Sequence, residues 1–309
     1  MILPIGLLAL TAPTHSAEPL LLVDLGAAKS YDYCAWAHDD GADPSLLPDV
    51  SAYLGDDKSS VDLNNMPSAL VIDAGMRVAK ESPDKRACEE TFSTGRELVI
   101  TLRKYSDKAM RRQAKFKKSK NKDIARIQSE MAALWTEDQV ARLSYVQTQT
   151  DSTTDSRHWA HRIATADAVA IDGKSAEYLR ALLSEYDWVD IHRFTRTISQ
   201  QAWTLVQHAD DHLDLQKLAL SRMEAHLQTG GVLKRNYAYL WDRVAVNSAQ
   251  LQRYGTQPDW ASCRHGMMTL MPMEDAEHVD ERRSAMQMGA VQKDLEQMSR
   301  QSCASAAGS

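Results

Sequence analysis

The chain has 309 residues, 25% of them charged and 43% hydrophobic, with 36 Lys and Arg against 42 Asp and Glu, which excludes a disordered tail protein. That length suits one large domain or two ordinary ones. With only 3 Phe, 7 Trp and 10 Tyr, the core falls to Leu, Ala, Val and Met, so a mainly α fold is expected rather than a sandwich or barrel.

The chain opens on Met-Ile-Leu-Pro-Ile-Gly-Leu-Leu-Ala-Leu, too short to span a bilayer but long enough for the apolar stretch of a secretory signal. Thr14 and Ser16 fit the −3 and −1 positions of a cleavage site. The expected signal peptide is therefore 1–16, with a mature chain from near Ala17 and a periplasmic or secreted location. No Lys or Arg precedes Lys29, which is atypical for such a signal; the alternative is a buried N-terminal segment or a different start. Cys34, Cys88, Cys263 and Cys303 are too widely spaced for a zinc ribbon or a CxxC motif. Four cysteines allow three pairings, of which Cys34 with Cys88 and Cys263 with Cys303 is the most economical, each bridge staying in one half of the chain.

Residues 17–102 form an acidic, turn-rich and helical N-terminal module, broken at His38-Asp39-Asp40-Gly41 and Gly55-Asp56-Asp57-Lys58. Residues 103–126 are a basic connecting helix or linker. Within 103–122, ten Lys or Arg face only Asp107, which makes this stretch +9 and leaves −15 for the rest of the chain. Such a stretch can grip an anionic membrane surface, or it can be a solvated face balancing an acidic molecule. Only Phe116 and Tyr105 interrupt it, so base stacking is unsupported and no specific nucleic acid is expected.

Residues 127–300 carry the clearest helical periodicity and read as an irregular helical bundle, with a flexible tail over 301–309. In 199–228, Ala202, Val206, Ala209, Leu213, Gln216, Leu220, Met223 and Leu227 recur at steps of three and four, predicting one long helix ended by Gly230-Gly231. Further helices are predicted at 123–148, 176–186, 236–254 and 279–300.

Gln216 interrupts the apolar face of that long helix, and a buried amide must find partners. His208 would lie two turns earlier at the edge of the same face, beside Gln207. A histidine there is a general base, a metal ligand or a satisfied core residue. His208 and His212 at i and i+4, and the pair His158 and His161, are weak metal patterns, because no third ligand follows from spacing and no HExxH motif occurs; no metal or cofactor is expected. Asp242 and Arg243 sit together in an apolar helix, where Arg243 must meet a carboxylate or an anionic ligand if buried. No GxSxG, Walker, GxGxxG or EF-hand pattern is present, which disfavours the familiar serine hydrolases, P-loop enzymes and Rossmann dehydrogenases.

Five groups stand together: Asp138-Gln139 with Arg142; Leu205-Val206-Gln207-His208-Ala209-Asp210; Ala238-Tyr239-Leu240 with Asp242-Arg243-Val244; Gln252 with Tyr254-Gly255-Thr256-Gln257; and Val279-Asp280 with Arg282-Arg283. In combination they resemble the bacterial DUF6624 family over roughly residues 131–289. The resemblance implies a domain boundary and a residue set, and no reaction. Where that family tends to have Gly-Trp-Pro before its central helix, this chain has Tyr186-Asp187-Trp188-Val189-Asp190, and only Trp188 carries over. His212 is outside the family pattern.

The function expected is that of an exported, cofactor-independent hydrolase or lyase with a polar pocket between helices that binds an anionic small molecule. His208, Asp242, Arg243 and Tyr254 are the expected catalytic residues. Asp138, Gln139, Gln207, Gln216, Thr256, Gln257 and Arg283 are expected to bind the ligand or orient His208. The alternative is a non-catalytic binding or interaction module of the cell envelope, in which the same residues form a structural polar network.

Overall fold

A computed structural model describes residues 20–22, 24–39, 44–55, 61–265 and 267–303, so the expected signal peptide and most of the tail lie outside the described residues. Among the described residues the fold is mainly α: α1 (Leu25–Ser30), α2 (Tyr33–His38), α3 (Ser51–Leu54), α4 (Met66–Glu81), α5 (Lys85–Gln113), α6 (Lys122–Thr148), α7 (Ser156–Glu185), α8 (Ile191–Phe194), α9 (Arg196–His208), α10 (Leu213–Glu224), α11 (Lys234–Asn247), α12 (Val279–Ala285) and α13 (Val291–Ser302). Two short strands, β1 (Pro258–Asp259) and β2 (Thr269–Leu270), pair antiparallel with Pro258 opposite Leu270. No described helix is long and apolar enough to cross a membrane.

The long helices start where acids and amides stand in the sequence. Asp84, Asn121 and Asp155 cap α5, α6 and α7 by accepting from Ala87 N, from Asp123 and Ile124 N, and from His158 N. Each satisfies amides that have no partner inside the helix.

Two apolar clusters result. One joins α6, α7, α9, α10 and α11 around Met131, Leu179, Leu183, Trp188, Phe194, Ile198, Leu205 and Leu215. The other gathers α2, α4 and α5 around Tyr33, Trp36, Ile72 and Phe92, and is completed by Trp159, Ala160 and Ile163 from the first half of α7. Helix α7 therefore serves both cores. Asp167 on it receives Lys29 and Arg103 together, which ties the N-terminal segment and α5 to the same turn.

The two disulfides are Cys34–Cys88 and Cys263–Cys303, the economical pairing. The first fixes α2 on α5, and the second fixes the turn after β1 to the end of α13. On the chain-entropy account each contributes about 4 kcal/mol. The basic stretch is the last third of α5 and the loop into α6, and within it only Arg103 and Arg111 make ion pairs among the described residues.

Three predicted helices are shorter than expected. The long helix over 199–228 is two, α9 and α10, broken at 209–212; the helix at 236–254 stops at Asn247, with Ala249 at φ 55°; and the helix at 279–300 is interrupted between Ala285 and Val291, with Gln287 at φ 59°. In the first and third cases carbonyls at the break are taken by side chains. Gln216 donates Nε2 to Val206 O at 3.2 Å, Arg243 donates to Gln207 O at 3.2 and 3.3 Å, and Arg283 donates Nε to Gly289 O at 2.6 Å. Gln216 is thus explained as the cap that ends α9.

Helices α5 and α7 cross at Gly95. A Cβ there would stand 2.5 Å from Ser156 O and 2.8 Å from Trp159 Cδ1, so Gly95→Ala must push two backbones apart. A loss of about 1 to 3 kcal/mol in urea unfolding is expected. A change below about 0.5 kcal/mol would show that the crossing is looser than described.

Candidate functional site

His208 is the last residue of α9, at the break that Gln216 and Arg243 enforce. Its Nδ1 lies 2.8 Å from Oδ1 and 3.0 Å from Oδ2 of Asp138, which is fully buried on α6. Arg142, one turn further along α6, donates Nε to the same Oδ1 at 2.9 Å, and Gln139 donates Nε2 to Oδ2 at 2.7 Å. Arg142 Nε is also 2.7 Å from His208 Nδ1 and competes with the carboxylate for it. With the proton on Nδ1, the tautomer that the two carboxylate oxygens favour, Nε2 carries the lone pair. Among the described residues Nε2 has no protein partner.

The far end of Arg142 donates Nη2 to Asp172 Oδ1 on α7 at 2.6 Å. Burial pushes the Asp172 carboxyl up to about 7, with Asp138 and Asp210 adding to the effect and Arg142 opposing it. Burial acts on Asp138 in the same sense, but the hydrogen bond and charge of His208, with Arg142 and Gln139, hold it below the ordinary carboxylate value. Two carboxyls a few ångströms apart are therefore driven in opposite directions.

His208, Arg142 and Asp172 open onto a cavity of about 220 Å³ shared with Asp210, Asp211 and His212 and closed on one side by Leu63 and Asn64. The N-terminal segment therefore supplies part of the wall. His208 and His212 meet this cavity across the helix break, not as an i, i+4 pair on one helix. His212 lies with Nδ1 3.3 Å from Arg180 Nη2; burial, then Arg180, lowers its pKa. Asp138, Asp172 and His208 place ligand atoms within 4.8 Å of one another, a set that a divalent cation can bridge. Arg142 already pairs with both carboxylates and supplies the positive charge there.

Of the remaining expected site residues, Asp242, Tyr254, Thr256, Gln257 and Arg283 gather around the 252–257 loop and Gln207, Gln216 and Arg243 brace the cavity's edge, which corrects the single pocket drawn from the sequence. Asp242 accepts from Arg253 N at 2.7 Å, Tyr254 N at 3.0 Å, and Thr256 N and Oγ1 at 2.9 Å each. Burial pushes its pKa up and these bonds pull it back. It is the anchor of the 252–257 loop, and the role of orienting His208 falls to Asp138. Gln252 and Gln257 brace the same loop, Gln257 N donating to Gln252 Oε1 and Gln257 Nε2 to Thr256 Oγ1. Tyr254 packs edge-on against Trp241 and is buried. Arg283 binds Tyr254 O at 2.7 Å and pairs with Asp294.

Arg243 spends its donors on Gln207 O, Gln257 Oε1 at 3.1 Å and Asp210 at 2.9 Å. Gln216 and Asn247 also hold Asp210, so this group fixes the cavity's rim without facing a ligand. The Gln207 side chain is buried and its Nε2 has no partner. Of the expected residues the structure brings Asp138, Gln139 and His208 together, and adds Arg142 and Asp172. Asp172 was open to detection as a lone acid on the apolar Ala168, Ile171, Ala176 and Leu179 side of a helix, the kind of position that requires a partner.

No curated protein and no solved structure matches the chain. A family pattern does match, over residues 125–300, wider at both ends than the resemblance drawn from motifs alone. The match contains nearly all of α6, α7 to α12 and nearly all of α13, more than half of the sequence. The chain belongs to this family, DUF6624, a family of unknown function.

Proposed function

We propose that this protein is a hydrolase or lyase that works without a cofactor and uses His208 as general base and acid. The observation that carries this reading is the pairing of His208 Nδ1 with buried Asp138, which leaves Nε2 toward a cavity. A base must be oriented and open, and this one is both. Asp172, with a pKa near 7, supplies the second proton-transfer group, and Arg142 holds the two carboxyls in register. No Ser, Thr or Cys lines the cavity among the described residues, and the reading we favour is attack by an activated water or proton abstraction from the substrate.

The charge of the lining bears on substrate class. Arg142 pairs with Asp172 and Arg243 with Asp210, which leaves Asp211 as the lining acid without an ion pair among the described residues and favours a neutral or cationic polar substrate over the anion expected from the sequence. The disulfides support an oxidising compartment and, with it, export. The alternative, a non-catalytic module, draws its support from the closed Asp242 to Arg283 network, which resembles a device for fixing a fold. The open Nε2 of His208 favours turnover.

The test is a panel of ester, amide, glycoside and β-elimination substrates offered to the oxidised protein and to His208→Gln. Turnover by the wild type is expected to fall by at least about a hundredfold in the variant. Turnover that survives within about twofold would remove His208 from the mechanism, and none across the panel would favour the binding module.

A further inference from the structure

A second cleft, of about 520 Å³, opens at the starts of α9 and α11, with Gln113, Trp135, Gln139, Arg196, Gln201 and Arg235 among its walls. Its volume is that of an ordinary small-molecule site. Unlike the His208 cavity, it has no carboxylate among its described lining residues. Arg196 and Arg235 are exposed and neither forms an ion pair among the described residues.

Both arginines stand in the first turn of a helix, Arg196 opening α9 and Arg235 second in α11. The N-cap of α11, Leu233, also lines the cleft and offers no side-chain acceptor to the first amides of the helix. The uncapped start of α11 thus adds its partial positive charge to two guanidinium groups without ion pairs, while the start of α9 is capped by Thr195 Oγ1, which accepts from Ile198 N. An independent sign comes from Gln201. It is 3% exposed, lines the cleft, and among the described residues has neither its amide oxygen nor its amide nitrogen hydrogen-bonded. A buried amide in that state lacks the partner that its position demands. Trp135, half-buried, offers a flat apolar wall.

We infer that this cleft binds a small organic anion. A compact phosphate or carboxylate group lies between Arg196 and Arg235, the hydroxyl or amide groups of its body meet Gln201, and its apolar face covers Trp135. Gln139 stands between this cleft and the His208 site, lining the one and donating to Asp138 in the other. The anion site does not depend on the catalytic reading of His208.

The experiment is titration calorimetry on the oxidised full chain with inorganic phosphate, glucose 6-phosphate, adenosine monophosphate and benzoate, using glucose and adenosine as uncharged controls. At least one organic anion is expected to bind with Kd below about 1 mM, and neither control to bind. Arg196→Gln with Arg235→Gln should weaken that binding at least about tenfold, the loss of charge-assisted contacts. Both positions are exposed, and an unchanged circular dichroism spectrum checks that the double variant folds. Gln201→Leu should weaken the organic anion, while His208→Ala should leave binding unchanged, which separates this site from the proposed active site. The inference is overturned if no probe binds below about 1 mM, if only inorganic phosphate does, or if the double variant binds within about twofold of the wild type.

Discussion

Arg283→Met is expected to lower the free energy of unfolding by about 3 to 5 kcal/mol, although the substitution nearly preserves volume. Arg283 is 1% exposed, and its guanidinium is consumed: Nε on Gly289 O, Nη1 on Tyr254 O and Nη2 on Asp294. Methionine fills the space but leaves three carbonyls, of Tyr254, Gly255 and Gly289, and a carboxylate that Arg283 had satisfied. Lysine does not rescue it, because a point ammonium cannot meet acceptors on three sides of a planar fork. The loss falls on the region that joins the 252–257 loop to α12 and α13, which the Cys263–Cys303 bridge also restrains. Urea unfolding of the oxidised and reduced variant separates the two contributions, the reduced form being the weaker. A loss below about 1 kcal/mol in both would mean that water replaces the guanidinium at no cost, and that Arg283 is not a structural clamp.

Arg283 also shows which part of the fold was legible. The apolar periodicity of 199–228 named a helical face, since burial of a stripe depends only on spacing. It could not locate the breaks. Those at 209–212 and 286–290 are made by Gln216, Arg243 and Arg283, each folding onto carbonyls that the sequence pattern leaves in an uninterrupted helix. Gly230-Gly231 and Gly255, the local stop signals, lie six and eight residues beyond the ends of α10 and α11 at Glu224 and Asn247. The disulfide pairing was legible because each bridge closes within its own half of the chain. At the site, His208 stood out as a polar residue on an apolar edge, whereas Arg142 four residues after Asp138 looks like an ordinary surface ion pair on a helix. Only the meeting of α6, α7 and α9 turns that pair into a setting for His208 and Asp172. Arg196 and Arg235, ordinary surface arginines in sequence, come to line one cleft only when α9 and α11 pack together.

Asp172→Asn is expected to stabilise the protein above neutral pH, by up to about 4 kcal/mol, and to leave it nearly unchanged in acid. The sign follows from the direction of the shift. Burial raises the Asp172 pKa to about 7, above its ordinary 3.8, so between those values the folded protein holds a proton that the unfolded chain has lost. Stability contributed by this group therefore declines as pH rises from about 4 to about 7, and the cost is constant above that. Asparagine cannot ionise, so the gap between variant and wild type should open across the same window. Asp138 opposes this trend: its depressed pKa adds stability at neutral pH that is lost on acidification, and because it shares Arg142 with Asp172 the gap reports Asp172 together with its coupling to Asp138. Chemical unfolding of the two proteins from pH 4 to pH 8 reads the gap. A gap that does not change with pH would mean that Arg142 keeps Asp172 ionised throughout, and would remove it as the proton partner of His208. If the gap opens as expected while turnover falls, the protein carries a carboxyl that costs it stability at the one cavity where His208 is open. That combination is what a proton-transfer site requires and what a packing network has no use for.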